Sequence, residues 1–140
     1  MPKSRCNTTV EGGQMIKGIG HVGILVKNLD ETVNLYCDLL GIEKPTEFEE
    51  WPSEGMRNAM ISLGDQAFEV MEPKPGNALA KFIEEHGEGL HHINLTVSDI
   101  EPLVKSLKEK GATVIERGPK ACFVHPKSMK GVLIELQQLD

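Results

Sequence analysis

The sequence predicts an α+β fold of two tandem βαβββ modules whose mixed sheet curves around a shared cleft. Three observations predict it. First, the stretch Gly20 to Asp30 recurs later: aligning His21 on His92, an offset of 71 (92 − 21), places Val22 on Ile93, Ile24 on Leu95, Val26 on Val97 and Leu29 on Ile100. Second, both stretches alternate with strand period and run through a polar cap into an amphipathic helix. Third, three more strand-like segments follow each helix. A repeat this long in a chain of 140 residues is one supersecondary unit used twice.

The elements follow in order. Residues 1 to about 15 are polar, contain Gly12-Gly13 and show no periodicity, which predicts a flexible arm; residues 16–140 form one domain, with modules at about 16–73 and 88–140. The first strand covers 17–26, with Val22, Ile24 and Val26 on one face and His21, Gly23 and Leu25 on the other. Asp30 is the expected N-cap of a helix striped by Val33, Tyr36, Cys37 and Leu40 and stopped at Gly41. A polar stretch with weak strand character, including Glu47, Glu49 and Glu50, leads to Gly55. Strands fit Met56 to Leu63 and Ala67 to Met71, turned at Gly64-Asp65. In the second of these, Phe68 and Val70 oppose Ala67, Glu69 and Met71.

Asn77 should cap a short connecting helix over 77–86. The second module starts with a strand over 91–97. Ser98 and Glu101 match a capping box for a helix carrying Ile100, Leu103, Val104 and Leu107 to a stop at Gly111. Strands are expected near 112–116, 121–125 and 131–137; in the last, Val132, Ile134 and Leu136 oppose Leu133, Glu135 and Gln137.

Composition narrows the function. Apolar residues make up 39% and charged residues 26%, which is ordinary for a globular domain. The formal charge of −6 argues against nucleic acid or an anionic membrane surface as the main partner. No apolar run approaches a membrane span, and no h-region marks a secretory signal. Cys6, Cys37 and Cys122 are three and widely spaced, as expected of reduced thiols in a cytoplasmic protein.

The chemistry lies opposite the Val/Ile faces. His21 and His92 hold matched positions in the repeat, and Glu69 and Glu135 sit inside apolar strands. The spacings are similar, 48 (69 − 21) and 43 (135 − 92). A single histidine or glutamate in a strand is usually structural or solvated. A buried lone carboxylate, however, is costly unless paired or metal-bound. Pseudo-twofold packing would gather two imidazoles and two carboxylates, a set suited to Zn, Ni, Co, Fe or Mn. The cleft is therefore predicted to be metal-centred, with positions open to substrate. His91 alternates away from His92 and is not counted as a ligand; His86 reads as a helix C-terminal cap, and His125 lies in a turn.

These residues resemble the methylmalonyl-CoA epimerases of the vicinal-oxygen-chelate superfamily, from about Ile16 to Leu136. The strings that carry the resemblance include His21-Val22-Gly23-Ile24, Glu69-Val70-Met71-Glu72-Pro73, Gly87-Glu88-Gly89-Leu90-His91-His92-Ile93, His125-Pro126-Lys127-Ser128 and Gly131-Val132-Leu133-Ile134-Glu135-Leu136. The resemblance implies a divalent metal ion held by His21, Glu69, His92 and Glu135. It also implies an acyl-CoA thioester substrate, inverted by proton abstraction and return, and a homodimer. Glu135 is the implied catalytic base and Glu69 the symmetric candidate for the second, while Lys120, Lys127 and Lys130 could meet coenzyme A phosphates. The alternatives are a glyoxalase-I-type lyase acting on a glutathione hemithioacetal, an extradiol dioxygenase, and a metal-free binder. Two departures stand out. Asn58 falls where some epimerases carry a second catalytic glutamate, and the stretch from Glu116 to Phe123 is shorter than the glycine-rich loop usual there.

Overall fold

The structure, a computed structural model, describes residues 15–139. The arm expected over residues 1–15 lies, apart from Met15, outside the described residues. The elements run β1 (Ile16–Leu25), α1 (Leu29–Leu40), β2 (Glu49–Trp51), β3 (Met56–Leu63), β4 (Gln66–Pro73), α2 (Ala78–His86), β5 (Gly89–Val97), α3 (Ile100–Glu109), β6 (Val114–Glu116), β7 (Ala121–Val124) and β8 (Ile134–Gln138). Two βαβββ sequences joined by a helix are thus present, in an α+β chain with parallel and antiparallel strand pairs. The chain forms two compact units, Ile19–Asn94 and residues 15–18 with 95–139, so β1 and β5 each contribute to both.

In the unit Ile19–Asn94 the strand order is β2-β3-β4-β1-β5. β1 runs parallel to β4, with Gly23 opposite Glu69, and β3 is antiparallel to β4. The alternation of β1 has the expected result. Ile24 and Val26 pack with Leu29, Val33 and Cys37 of α1 and with Ala59, Ile61 and Val70. On the other face, Leu25 packs with Met56, Met71 and Ile83. Each such side chain, fully buried, contributes about 1.5–3 kcal/mol.

The N-cap of α1 is Asn28, not Asp30. Asn28 is extended at φ −135°, and its Oδ1 accepts from Glu31 N at 2.9 Å. Burying Leu29, which is 0% exposed, starts the helix one residue before Asp30. Asp30 then sits in the first turn, where a negative charge suits the helix dipole. Glu72 Oε1 accepts from Leu29 N at 3.2 Å, and Gly41 closes the helix at φ 67°. Asn77 caps α2 as expected, accepting from Leu79 N at 2.7 Å.

In the other unit, β5 continues into the order β5-β8-β7-β6, and α3 packs on β6 and β8. The Ser98–Glu101 capping box is not formed. Asp99 occupies the N-cap without a side-chain bond, while Ser98 donates through N (2.9 Å) and Oγ (3.4 Å) to Met15 O. β8 starts at Ile134, later than expected. Gly131 N donates to Pro126 O at 2.8 Å and Val132 N to Met129 O at 3.2 Å, and these turn bonds draw 131–132 out of the ladder. Among the described residues, no helix is long and apolar enough to cross a membrane.

Candidate metal centre

Three adjacent strands, β4, β1 and β5, bring Glu69, His21 and His92 together within the unit Ile19–Asn94. His21 Nε2 lies 3.1 Å from His92 Nε2 and 3.3 Å from Glu69 Oε1, and His92 Nε2 lies 3.6 Å from the same oxygen. The side chains are largely withdrawn from solvent, 13% exposed for His21, 12% for Glu69 and 3% for His92. Two imidazole nitrogens and one carboxylate oxygen are ordinary ligands of a divalent transition metal. Ligands about 2.1 Å from one ion stand roughly 3.0 Å apart when cis in an octahedron and roughly 3.4 Å apart in a tetrahedron. Two of the separations, 3.1 and 3.3 Å, fall in that range and the third, 3.6 Å, lies just above it, so the donor set fits a divalent ion.

Local sequence explains the convergence. Glu69 faces Gly23 across the parallel pair, and a Cβ on Gly23 would stand only 2.2 Å from His92 Cε1 and 2.3 Å from its Nδ1. The missing side chain is what admits the imidazole. Asn58, 1% exposed, donates through Nδ2 to Glu69 Oε2 at 3.0 Å. Its Oδ1 has no partner among the described residues. A buried acceptor left unmade costs about 1–3 kcal/mol.

His91, not counted among the ligands, touches the centre through His92. Its Nδ1 lies 2.9 Å from His92 Nδ1, so His92 meets His21 and Glu69 with one ring nitrogen and His91 with the other. Sequence reasoning missed this contact, and it missed the role of Gly23. Strict alternation concealed the first; the second was present in the His-Val-Gly string without its reason. His125 Nδ1 accepts from Lys127 N at 3.0 Å and caps a short turn, and His86 stacks on Phe82 with ring centroids 4.4 Å apart.

Glu135 lies in the other unit, half-buried on β8 opposite Phe123 of β7. Its neighbour in that ladder, Cys122, is buried, and burial followed by the Glu116 and Glu135 carboxylates raises the thiol above its ordinary range. Lys120, Lys127 and Lys130 are exposed in the same unit.

A mixed sheet with a metal-type donor set on adjacent strands defines a class of enzyme, and residues 20–128 match the family model of the Glyoxalase/Bleomycin resistance protein/Dioxygenase superfamily, to which the chain belongs. Within it several relatives are epimerases, which are isomerases, and a probable lactoylglutathione lyase of Synechocystis is 31% identical over 71% of this chain. The chain is 35% identical to an ethylmalonyl-CoA/methylmalonyl-CoA epimerase of Cereibacter sphaeroides, over 89% of this chain and 100% of that one. It is 33% identical to the mitochondrial methylmalonyl-CoA epimerase of Dictyostelium discoideum, over 86% of this chain and 80% of that one. A solved structure of a Streptomyces coelicolor methylmalonyl-CoA epimerase variant in complex with 2-nitronate-propionyl-CoA superposes with TM-score 0.77 at 31% identity, covering 88% and 97% of the two chains. The glyoxalase-I-type lyase is the less supported alternative.

Proposed function

We propose that the chain epimerises methylmalonyl-CoA at C2 through a divalent ion held by His21, Glu69, His92 and Glu135. The observation that carries this reading is the convergence of His21 Nε2, His92 Nε2 and Glu69 Oε1 in an epimerase relative. Glu135 joins them through the repeat, since it stands to His92 much as Glu69 stands to His21 in the sequence. Solved epimerase neighbours hold methylmalonyl-CoA or 2-nitronate-propionyl-CoA, both acyl-CoA compounds.

C2 lies between a thioester and a carboxylate, so its proton is weakly acidic. A divalent ion bound at the site supplies Lewis-acid stabilisation of the negative charge that builds on the substrate oxygens. Glu135 takes the C2 proton from one face as general base, and Glu69, protonated in that direction of the reaction and ionised in the reverse one, returns a proton from the other. Lys120, Lys127 and Lys130 are the cations offered to the coenzyme A phosphates. The protein acts in the cytoplasm as a homodimer; its buried thiols Cys37 and Cys122, both free, suit a reducing compartment.

The test is a metal-supplemented assay in deuterated water. Metal-stripped protein receives Co²⁺, Ni²⁺, Mn²⁺ or Zn²⁺ with methylmalonyl-CoA, and inversion and α-deuterium uptake are followed together. Metal-dependent inversion that falls about 10²–10⁴-fold in Glu135→Gln is expected. Uptake without inversion would leave one working base. Stoichiometric metal binding without any exchange would sink the epimerase and make a glutathione hemithioacetal the next substrate to try.

A further inference from the structure

We infer that Asn58 is a positioning residue that fixes which oxygen of Glu69 serves the metal centre. The inference rests on the metal-site reading above. Asn58 lies on β3, on the sheet face it shares with Met60 and Glu69, because Met60 pairs with Glu69 and Asn58 with Met71. Its Nδ2 donates to Glu69 Oε2 at 3.0 Å. Glu69 Oε1 is the oxygen that faces His21 Nε2 at 3.3 Å and His92 Nε2 at 3.6 Å. The two oxygens of one carboxylate are thereby divided, one held by the amide and one directed at the imidazoles.

The amide orientation follows from chemistry. A carboxylate only accepts, so the NH₂ end of Asn58 must meet it. A second glutamate at this position would place a like charge against Glu69. The amide instead offers a neutral donor, which steadies the ionised ligand without competing for the ion. The buried Oδ1 is without a partner among the described residues. For folding alone, an apolar side chain at position 58 would remove the unmade Oδ1 but would strip Glu69 Oε2 of its donor, so position 58 trades one unmade acceptor for another. The one feature of Asn58 that an apolar residue lacks and the site uses is the donor to Oε2. A group that orients a metal ligand in this way typically changes metal affinity 10–100-fold when removed.

The experiment has two arms. In the metal-free protein, the Asn58 side-chain amide protons are followed by ¹⁵N-resolved hydrogen exchange. Slow exchange in the wild type that becomes fast in Glu69→Ala is expected; an amide that exchanges freely in both overturns the inference. In the second arm, Co²⁺ is titrated calorimetrically into wild type, Asn58→Leu and Asn58→Asp, with thermal melting of each metal-free variant. The expected result is Co²⁺ affinity at least tenfold weaker in Asn58→Leu, measured at a temperature where the melting curve shows the variant still folded. A merely structural residue would give a lower melting temperature with unchanged affinity, and that result overturns the inference. Should Asn58→Leu fail to fold, the isosteric Asn58→Asp decides, because it replaces the donor by a charge that repels Glu69. Absence of Co²⁺ binding in the wild type would remove the metal reading, while the exchange arm would still decide whether Asn58 holds Glu69.

Discussion

Gly23 and His92 claim the same space: a Cβ on residue 23 would stand 2.9 Å from His92 Nε2 and closer still to the ring's Cε1 and Nδ1. The glycine is needed for this approach, with no unusual backbone angle involved, since its φ is not among the positive ones. Gly23→Ala must therefore push the imidazole away from Glu69 and His21. Overpacking of this kind costs about 1–3 kcal/mol. The expected outcome is a lowered denaturation midpoint together with loss of Co²⁺ binding by calorimetry. An alanine variant that binds Co²⁺ like the wild type would refute the steric account.

The contact between His91 and His92 leads to a second prediction. Nδ1 to Nδ1 at 2.9 Å requires one ring to donate and the other to accept. A ligand that binds through Nε2 carries its proton on Nδ1, so His92 is the donor in the loaded state. His91→Phe keeps a ring and removes the acceptor. Metal affinity should weaken about tenfold, while His92 remains a ligand, as read from ¹⁵N chemical shifts of the imidazoles. Equal affinity in the variant would mean that His91 only fills space.

Arg57 ties three acidic residues from separate elements. It reaches Glu50 Oε2 at 2.7 Å, Glu72 Oε1 at 3.2 Å and Asp30 Oδ2 at 3.4 Å, and Glu72 in turn accepts from the first amide of α1. Burial works against the guanidinium charge, yet the hydrogen bonds to Glu50 and Asp30 outweigh it and raise Arg57 above its ordinary range. Two of the three partners are more than half exposed, so screening limits each pair. Arg57→Met should cost about 1 kcal/mol at low ionic strength, and less in 1 M salt, where charges are screened over about 3 Å. Urea denaturation at the two salt concentrations measures the difference; a loss independent of salt would locate the effect in packing.

Cys122 gives a pH dependence with a definite sign. Its thiol is raised by burial first and then by the carboxylates of Glu116 and Glu135. The folded chain keeps this proton to higher pH than the unfolded chain. The associated stability is intact below the ordinary thiol range and is lost as pH rises through the folded value. Cys122→Ala should flatten the decline of stability on the alkaline side, measured by urea denaturation between pH 7 and 10. In the native wild type, Cys122 should also resist iodoacetamide at pH 8. Rapid alkylation there would contradict the raised thiol.

Much of the fold was legible because two periods are hard to disguise. The alternation through Val22, Ile24 and Val26, repeated at Ile93, Leu95 and Val97, located β1 and β5 and put His21 opposite the face that packs on α1. Helix boundaries were harder to read. Asp30 was the obvious cap by type, but a cap is a backbone state, and Asn28 with Glu31 three residues later carries it because Leu29 must be buried. Ser98 failed as a cap because Met15, distant in sequence, offers it a carbonyl. The hydrogen bond from Asn58 to Glu69 joins residues eleven apart on neighbouring strands, and only the β3–β4 register reveals it.

Strand β1 supplies a wall for α1 with one set of side chains and imidazole and glycine with the alternate set. Parity along ten residues separates the two roles. A single-residue insertion or deletion within β1 would exchange them, sending valines toward Glu69 and the histidine toward the helix. Substitutions here can degrade the centre or the scaffold by degrees, whereas a length change erases both in one step. Natural variation in this segment should therefore be rich in replacements and empty of gaps.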